Sequence, residues 1–181
     1  MLRKSCPQFI IISGSGKKVG KTYMARALIS AFSGKFPLLA LKISPHVHDS
    51  LGSAKLVFAA EGFRIFNEME EHHKNSGQFL KAGAFKSYFM ETGDEHLETA
   101  FDIFMKECNP HILPVVCESG ALSNHIIPGI LIFIADSHQT GQTDKLKTKH
   151  RADIVLEARS FDPGEIINQT IFSENRWQRI G

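Results

Sequence analysis

The chain has 181 residues, of which 43% are hydrophobic and 22% charged, an ordinary soluble globular composition that predicts a single domain over 1–181. A formal net charge of only +2 argues against nucleic acid or an anionic membrane surface as partner. No apolar run approaches the roughly 20 residues needed to span a bilayer, and 14 Phe against 2 Tyr and 1 Trp read as core filling.

The opening segment, "MLRKSCPQFIIISGSG", has a basic start and a short apolar stretch. The stretch is only "FIII" and runs straight into glycines, so it is not read as a signal peptide. Cys6, Cys108 and Cys117 lack CxxC spacing, which predicts reduced thiols in a cytoplasmic protein and no zinc site.

In chain order, "QFIIIS" (8–13) predicts the first strand. Tyr23 to Ser33 predicts a helix with Met24, Ala27, Leu28 and Ala31 on its apolar face, stopped by Gly34 in a left-handed cap. "FPLLALKIS" (36–44) predicts a second strand, apolar through its length as if covered on both faces. "PHVHDSLGSAKLVFAAEG" (45–62) reads as a loop followed by a weak strand or helix. "FRIFNEM" (63–69) predicts an extra strand, "NSGQFLKAG" (75–83) a short helix, Gly83-Ala84 a tight turn and "AFKSYFME" (84–91) a strand. Asp94 to Glu107 predicts a helix with Leu97, Ala100, Phe101, Phe104 and Met105 on one face and Thr92 or Asp94 as its cap. "HILPVVCES", "GILIFIAD" and "ADIVLEA" predict three further strands, and the tail from Phe161 a final hairpin. "NEMEE" followed by His72-His73 reads as a solvated face. Strands alternating with helices predict an α/β fold: a doubly wound, mostly parallel sheet.

The stretch "SGSGKKVGKTYMARALI" (13–29) carries the strongest chemical signal. A strand, a glycine-rich turn ending Gly-Lys-Thr and an amphipathic helix together make the setting of a phosphate-binding loop. Glycines let the backbone curl into an anion-binding nest, and a helix start adds unpaired N–H groups and a positive dipole end. The candidate loop comprises Gly14, Ser15, Gly16, Lys17, Lys18, Val19, Gly20, Lys21, Thr22 and Tyr23. Lys21 reaches the β- and γ-phosphates, and the Thr22 hydroxyl is suited to Mg²⁺, which prefers oxygen. The pattern G-x-x-x-x-G-K-[ST] wants glycine where this chain has Ser15. At least one of Lys17 and Lys18 is expected to face the phosphates; the residues do not say which.

With that loop in place, the chain resembles the branch of P-loop proteins that includes dethiobiotin synthetase and the molybdopterin-guanine dinucleotide biosynthesis adaptor protein B. The resemblance rests on "GSGKKVGKT", "LALKISPHVHD", "NSGQFLKAGAFKSYF" and "VVCESG", in that order. It implies a P-loop nucleoside triphosphate hydrolase fold, binding of ATP or GTP with Mg²⁺, and a homodimer. The adaptor family implies a slow or partner-stimulated NTPase; the synthetase family implies ATP-dependent phosphorylation of a small acidic substrate. In both, Gly usually follows directly where Ser119 follows Glu118 here. No Asn-Lys-x-Asp guanine signature is present, so ATP and GTP both stay open.

Three further residues join the candidate site from strand-end position. Glu118 ends "LPVVCE", suited to holding Mg²⁺ or orienting water. Lys42 ends the second strand, within reach of a γ-phosphate or an acidic substrate. Asp49 is a candidate switch carboxylate touching Mg²⁺ or water. Asp136 ends "ILIFIA", near where a base would lie. His46 and His48 project to one side of an extended chain but lack a third ligand, and no metal is assigned to them.

Overall fold

The computed structural model describes residues 2–45, 54–71, 76–138 and 143–180. An α/β architecture is built on a largely parallel, mixed sheet of eight strands flanked by helices. In chain order these strands are β1 (Lys4–Gly14), β2 (Leu39–Ser44), β3 (Lys55–Ala60), β4 (Phe63–Asn67), β5 (Lys86–Thr92), β6 (Val115–Glu118), β7 (Ile126–Ala135) and β8 (Ile154–Glu157). Their order across the sheet is β3-β4-β5-β2-β6-β1-β7-β8. β4 runs antiparallel to both neighbours, and the remaining pairs are parallel. β1 therefore sits between β6 and β7, and the carboxyl ends of β1, β2 and β6 open on the same edge. In open α/β sheets that edge is where ligands bind.

β1 is longer than its apolar core. It starts at Lys4, and its register with β7 breaks between Cys6 and Ile10. Pro7 has no N–H for the ladder, so the break is where the pairing absorbs it.

One sheet face packs on α1 (Lys21–Phe32), with Ile10, Ile12, Ala40, Val116, Ile132 and Ile134 meeting Met24, Ala25, Leu28, Ile29 and Phe32. The buried stripe of α1 is thus rotated from the expected one: Ala27 and Ala31 are only partly covered, while Ala25, Ile29 and Phe32 are buried. A helix laid along a sheet buries a wide stripe, and here it runs through Met24, Ala25, Leu28, Ile29 and Phe32 and leaves Ala27 and Ala31 at its margin. Gly34 does not adopt a left-handed cap; the helix ends through Ser33 in right-handed geometry, with Ser33 N–H donating to the Ile29 carbonyl.

The other face packs on α3 (Leu97–Cys108) through Leu97, Ala100, Phe101 and Phe104, as the spacing predicts. Neither Thr92 nor Asp94 caps α3: the cap position is His96, without a side-chain hydrogen bond, and the Thr92 hydroxyl donates to the Gly93 carbonyl.

α2 (Gly77–Lys81) ends in the predicted turn. Gly83 takes φ 104°, its N–H donates to Leu80, and the Ala84 N–H reaches back to Phe79, the double bond of a Schellman motif.

The acidic run after β4 is not all solvated. Glu68 is 4% exposed and accepts a short hydrogen bond from the Ser76 hydroxyl. Its backbone N–H donates to Ser87, whose hydroxyl donates to the Ser76 carbonyl. A carboxylate that accepts from a buried serine hydroxyl is accommodated inside, which the acidic run alone does not reveal. His72 and His73 lie outside the described residues.

Two helices lie outside the predicted elements, α4 (Thr143–Arg151) and α5 (Pro163–Asn168). The signal for α5 is present: Asp162 caps it by accepting from Gly164 N–H, with Pro163 at the first helical position. The tail is the expected hairpin, β9 (Thr170–Ser173) with β10 (Arg176–Arg179), turned through Glu174 and Asn175 at φ 52° and 59°. Its Trp177 is 1% exposed and packs edge-on against Phe32 and Phe172.

Cys6 and Cys117 are buried and Cys108 is half-buried, all as free thiols. Burial pushes Cys6 and Cys108 up to about 11, out of the range of reactive thiolates. Among the described residues, no helix is long and apolar enough to cross a membrane.

Candidate functional site

The glycine-rich loop leaves β1 at Gly14 and enters α1 at Lys21. Gly14 tolerates no side chain: a Cβ there would stand 2.7 Å from the Ile134 carbonyl oxygen and 2.9 Å from Val19. Gly20 takes φ 108° as the residue before the helix, and no side chain caps α1. The first N–H groups of α1 therefore face the loop without a capping side chain.

Ser15 replaces a motif glycine and has its own use. Its N–H donates to Ile134, and its hydroxyl accepts from the Asp136 N–H at 2.9 Å. The side chain is 8% exposed and ties the loop to the end of β7. Asp136 caps this turn instead of facing open solvent: it is 9% exposed, and its carboxylate accepts from His138 N–H at 3.0 Å.

Register accounts for the neighbouring charges. Lys42 of β2 pairs with Glu118 of β6, and Glu118 pairs with Ile12 of β1. Side chains on one row of a parallel sheet share a face. Lys42 Nζ accordingly lies 3.4 Å from Glu118 Oε1, and Glu118 is 7% exposed. The Thr22 hydroxyl, in the first turn of α1, donates to Glu118 Oε2 at 2.7 Å. Lys21 Nζ donates to the Gly16 carbonyl, folding its ammonium over the loop.

Lys145, which has no counterpart in the sequence reading, comes from α4 and donates to the Ser15 carbonyl at 2.7 Å. No local pattern announces it. It lies on a helix rich in lysine, and only the tertiary fold aims this one at the loop.

These groups line one cleft of about 580 Å³. Lys17, Lys18, Lys21, Lys42 and Lys145 stand on its walls, with Glu118 as the carboxylate among the lining residues, and Thr22 and Tyr23 beside them. Lys17 and Lys18 are both exposed, and Lys18 takes φ 61°. Burial pushes the Lys21 ammonium below its ordinary value; Lys42 and Lys145 add to the shift, and Glu118 opposes it. Five lysines around one carboxylate make a site short of negative charge.

The cleft brings together Gly14, Gly16, Lys17, Lys18, Gly20, Lys21, Thr22, Tyr23, Lys42 and Glu118 from the predicted set. Val19 does not line it; at 2% exposure it is a core residue in the cluster on the α1 side of the sheet. Ser15 acts through its backbone and its bond to Asp136. Asp49, His46 and His48 lie outside the described residues. A hydroxyl and a carboxylate 2.7 Å apart, with lysines around them, fit a hard cation bridged to a polyanion. The described residues contain no group of three or more His, Cys, Asp or Glu side chains placed to hold a metal unaided. No protein-family model, curated protein or solved structure matches this chain.

Proposed function

We propose that the chain is a P-loop nucleoside triphosphate-binding protein that takes ATP or GTP with Mg²⁺ and hydrolyses it slowly or under stimulation by a partner, in the manner of the adaptor family it resembles. The observation that carries the reading is the lysine-lined cleft around the Gly14–Gly20 loop, with the Thr22–Glu118 contact at its base.

Each residue then has a task. Lys21 and a loop lysine neutralise the β- and γ-phosphates, and the opening N–H groups of α1 receive phosphate oxygens. Thr22 and Glu118 would hold Mg²⁺, which supplies charge neutralisation at the phosphate oxygens. Glu118, already hydrogen-bonded and nearly buried, orients water for attack on the terminal phosphate. Lys42, with its ammonium 3.4 Å from that carboxylate, faces the same end of the cleft.

Titration with ATP or GTP and Mg²⁺, followed by phosphate release, tests the reading. Absence of binding at millimolar nucleotide would sink it. A homodimer is part of the proposal, carried by the resemblance and checked by light scattering.

One observation favours the second reading, an ATP-dependent ligase or kinase of the synthetase type. A neighbouring cavity of about 300 Å³ shares Pro45 with the cleft and is lined by Arg64, Glu91 and Thr92. It offers room for a small acid beside the terminal phosphate. Arg64 is engaged there with Glu91, Nε to Oε2 at 2.8 Å, so an acid would have to compete for it. Stimulation of phosphate release by small carboxylic acids, with none by protein partners, would favour this reading over the first.

A further inference from the structure

Most of the aromatic residues in this chain fill the core; Tyr23 does not. It stands in the first turn of α1, two positions after Lys21, and is 59% exposed. It lines the same cleft as the lysines. The helix gains nothing by keeping it outside, since α1 is anchored through Met24, Ala25, Leu28, Ile29 and Phe32.

A single exposed aromatic is ordinary surface. Here a second ring supports it. Phe161, from the segment between β8 and α5, lies with its centroid 6.0 Å from that of Tyr23 at a 45° tilt. Phe161 is itself fixed: it packs against the α1 face of the core. Its Cε1 and Cζ stand 3.0 Å from the place a Cβ on Gly20 would occupy. The loop's own glycine thus makes the room in which this ring is seated.

The cleft is consequently two-sided in chemistry, with ammonium groups over the loop and a braced aromatic surface at the start of the helix. We infer that Tyr23, supported from behind by Phe161, is the shelf on which the base of a bound nucleotide stacks. The inference rests on the triphosphate reading of the same cleft and adds to it the recognition of the nucleoside. Stacking uses the π face that every base has, so the shelf serves adenine and guanine alike.

The test is calorimetric titration of the full chain with Mg·ATP, Mg·GTP and inorganic tripolyphosphate, using the parent, Tyr23→Ala and Tyr23→Phe. Tyr23 is exposed, so both variants are expected to fold, and circular dichroism checks this. Tyr23→Ala is expected to weaken ATP and GTP by about tenfold while leaving tripolyphosphate unchanged, and Tyr23→Phe to restore both nucleotides. Equal loss of tripolyphosphate would show that Tyr23 shapes the loop, and no loss for the nucleotides would show an idle surface ring; either overturns the shelf. A parent that binds tripolyphosphate as tightly as ATP overturns the shelf and leaves the phosphate site standing. A parent that binds none of the three overturns both.

Discussion

The Thr22 hydroxyl donates to Glu118 at 2.7 Å, joining the first turn of α1 to the end of β6. The contact places an oxygen ligand and a carboxylate side by side at the floor of a lysine-lined cleft. It makes two separable predictions, one for each partner.

Glu118→Gln keeps the size and hydrogen bonding of the side chain and removes its charge. Triphosphate binding is expected to persist, and to tighten in metal-free buffer, because a carboxylate facing phosphates repels them. Hydrolysis is expected to slow by one or more powers of ten, about 1.4 kcal/mol each. A turnover assay showing an unchanged rate would leave Glu118 as a structural partner of Thr22 and Lys42 and move the water-orienting role to Asp49, which Asp49→Asn would then probe.

Thr22→Ala removes the hydroxyl and leaves the backbone N–H groups of the helix start. Nucleotide binding measured with Mg²⁺ is expected to fall more than binding measured in a chelator, since the hydroxyl would be a metal ligand. Equal losses in the two conditions would contradict that role.

Lys21→Ala separates binding from stability. Burial lowers the Lys21 pKa in the folded chain below 10.5, its ordinary value. Between the lowered value and 10.5 the unfolded chain binds more protons, so the parent gains stability as pH rises through that window. The alanine variant lacks this gain. It is therefore expected to lose triphosphate binding, and its melting temperature relative to the parent's is expected to fall as pH rises toward 10. A variant that binds nucleotide as the parent does contradicts the assignment.

Lys145→Met tests the residue that only the fold brings in. Its ammonium lies 2.7 Å from the Ser15 carbonyl and lines the cleft. Triphosphate affinity is expected to drop several-fold, with a salt dependence shallower than the parent's because one cation fewer is screened. An unchanged affinity would confine Lys145 to bracing the loop.

Ser15→Ala tests why the motif glycine is absent. The change removes the hydroxyl that accepts from the Asp136 N–H, at a cost of about 1 kcal/mol, and a chain of this size loses roughly 2–4 °C in melting temperature per kcal/mol. Phosphate binding is expected to survive, because the Ser15 contribution to the loop is backbone. A melting temperature equal to the parent's would mean that water replaces the hydroxyl.

The amino-acid sequence determined what is local. Apolar runs located most of the strands, with β3 left open between strand and helix; the spacing of Leu97, Ala100, Phe101 and Phe104 located α3, and Gly-Lys-Thr between a strand and a helix located the loop. Neighbours along the chain carry those signals, so one pass reads them. Tertiary structure decided what depends on pairing between distant segments. The row Ile12, Glu118 and Lys42 is a matter of strand order, since β6 inserts between β1 and β2 although it follows them by more than seventy positions. The placement of Thr22 against Glu118, of Lys145 over the loop, of Phe161 behind Tyr23 and of Glu68 inside the protein follows from which surfaces the sheet and helices press together. Hydrophobic periodicity tells a helix which side to bury, within a turn; it does not say which polar group will be waiting there.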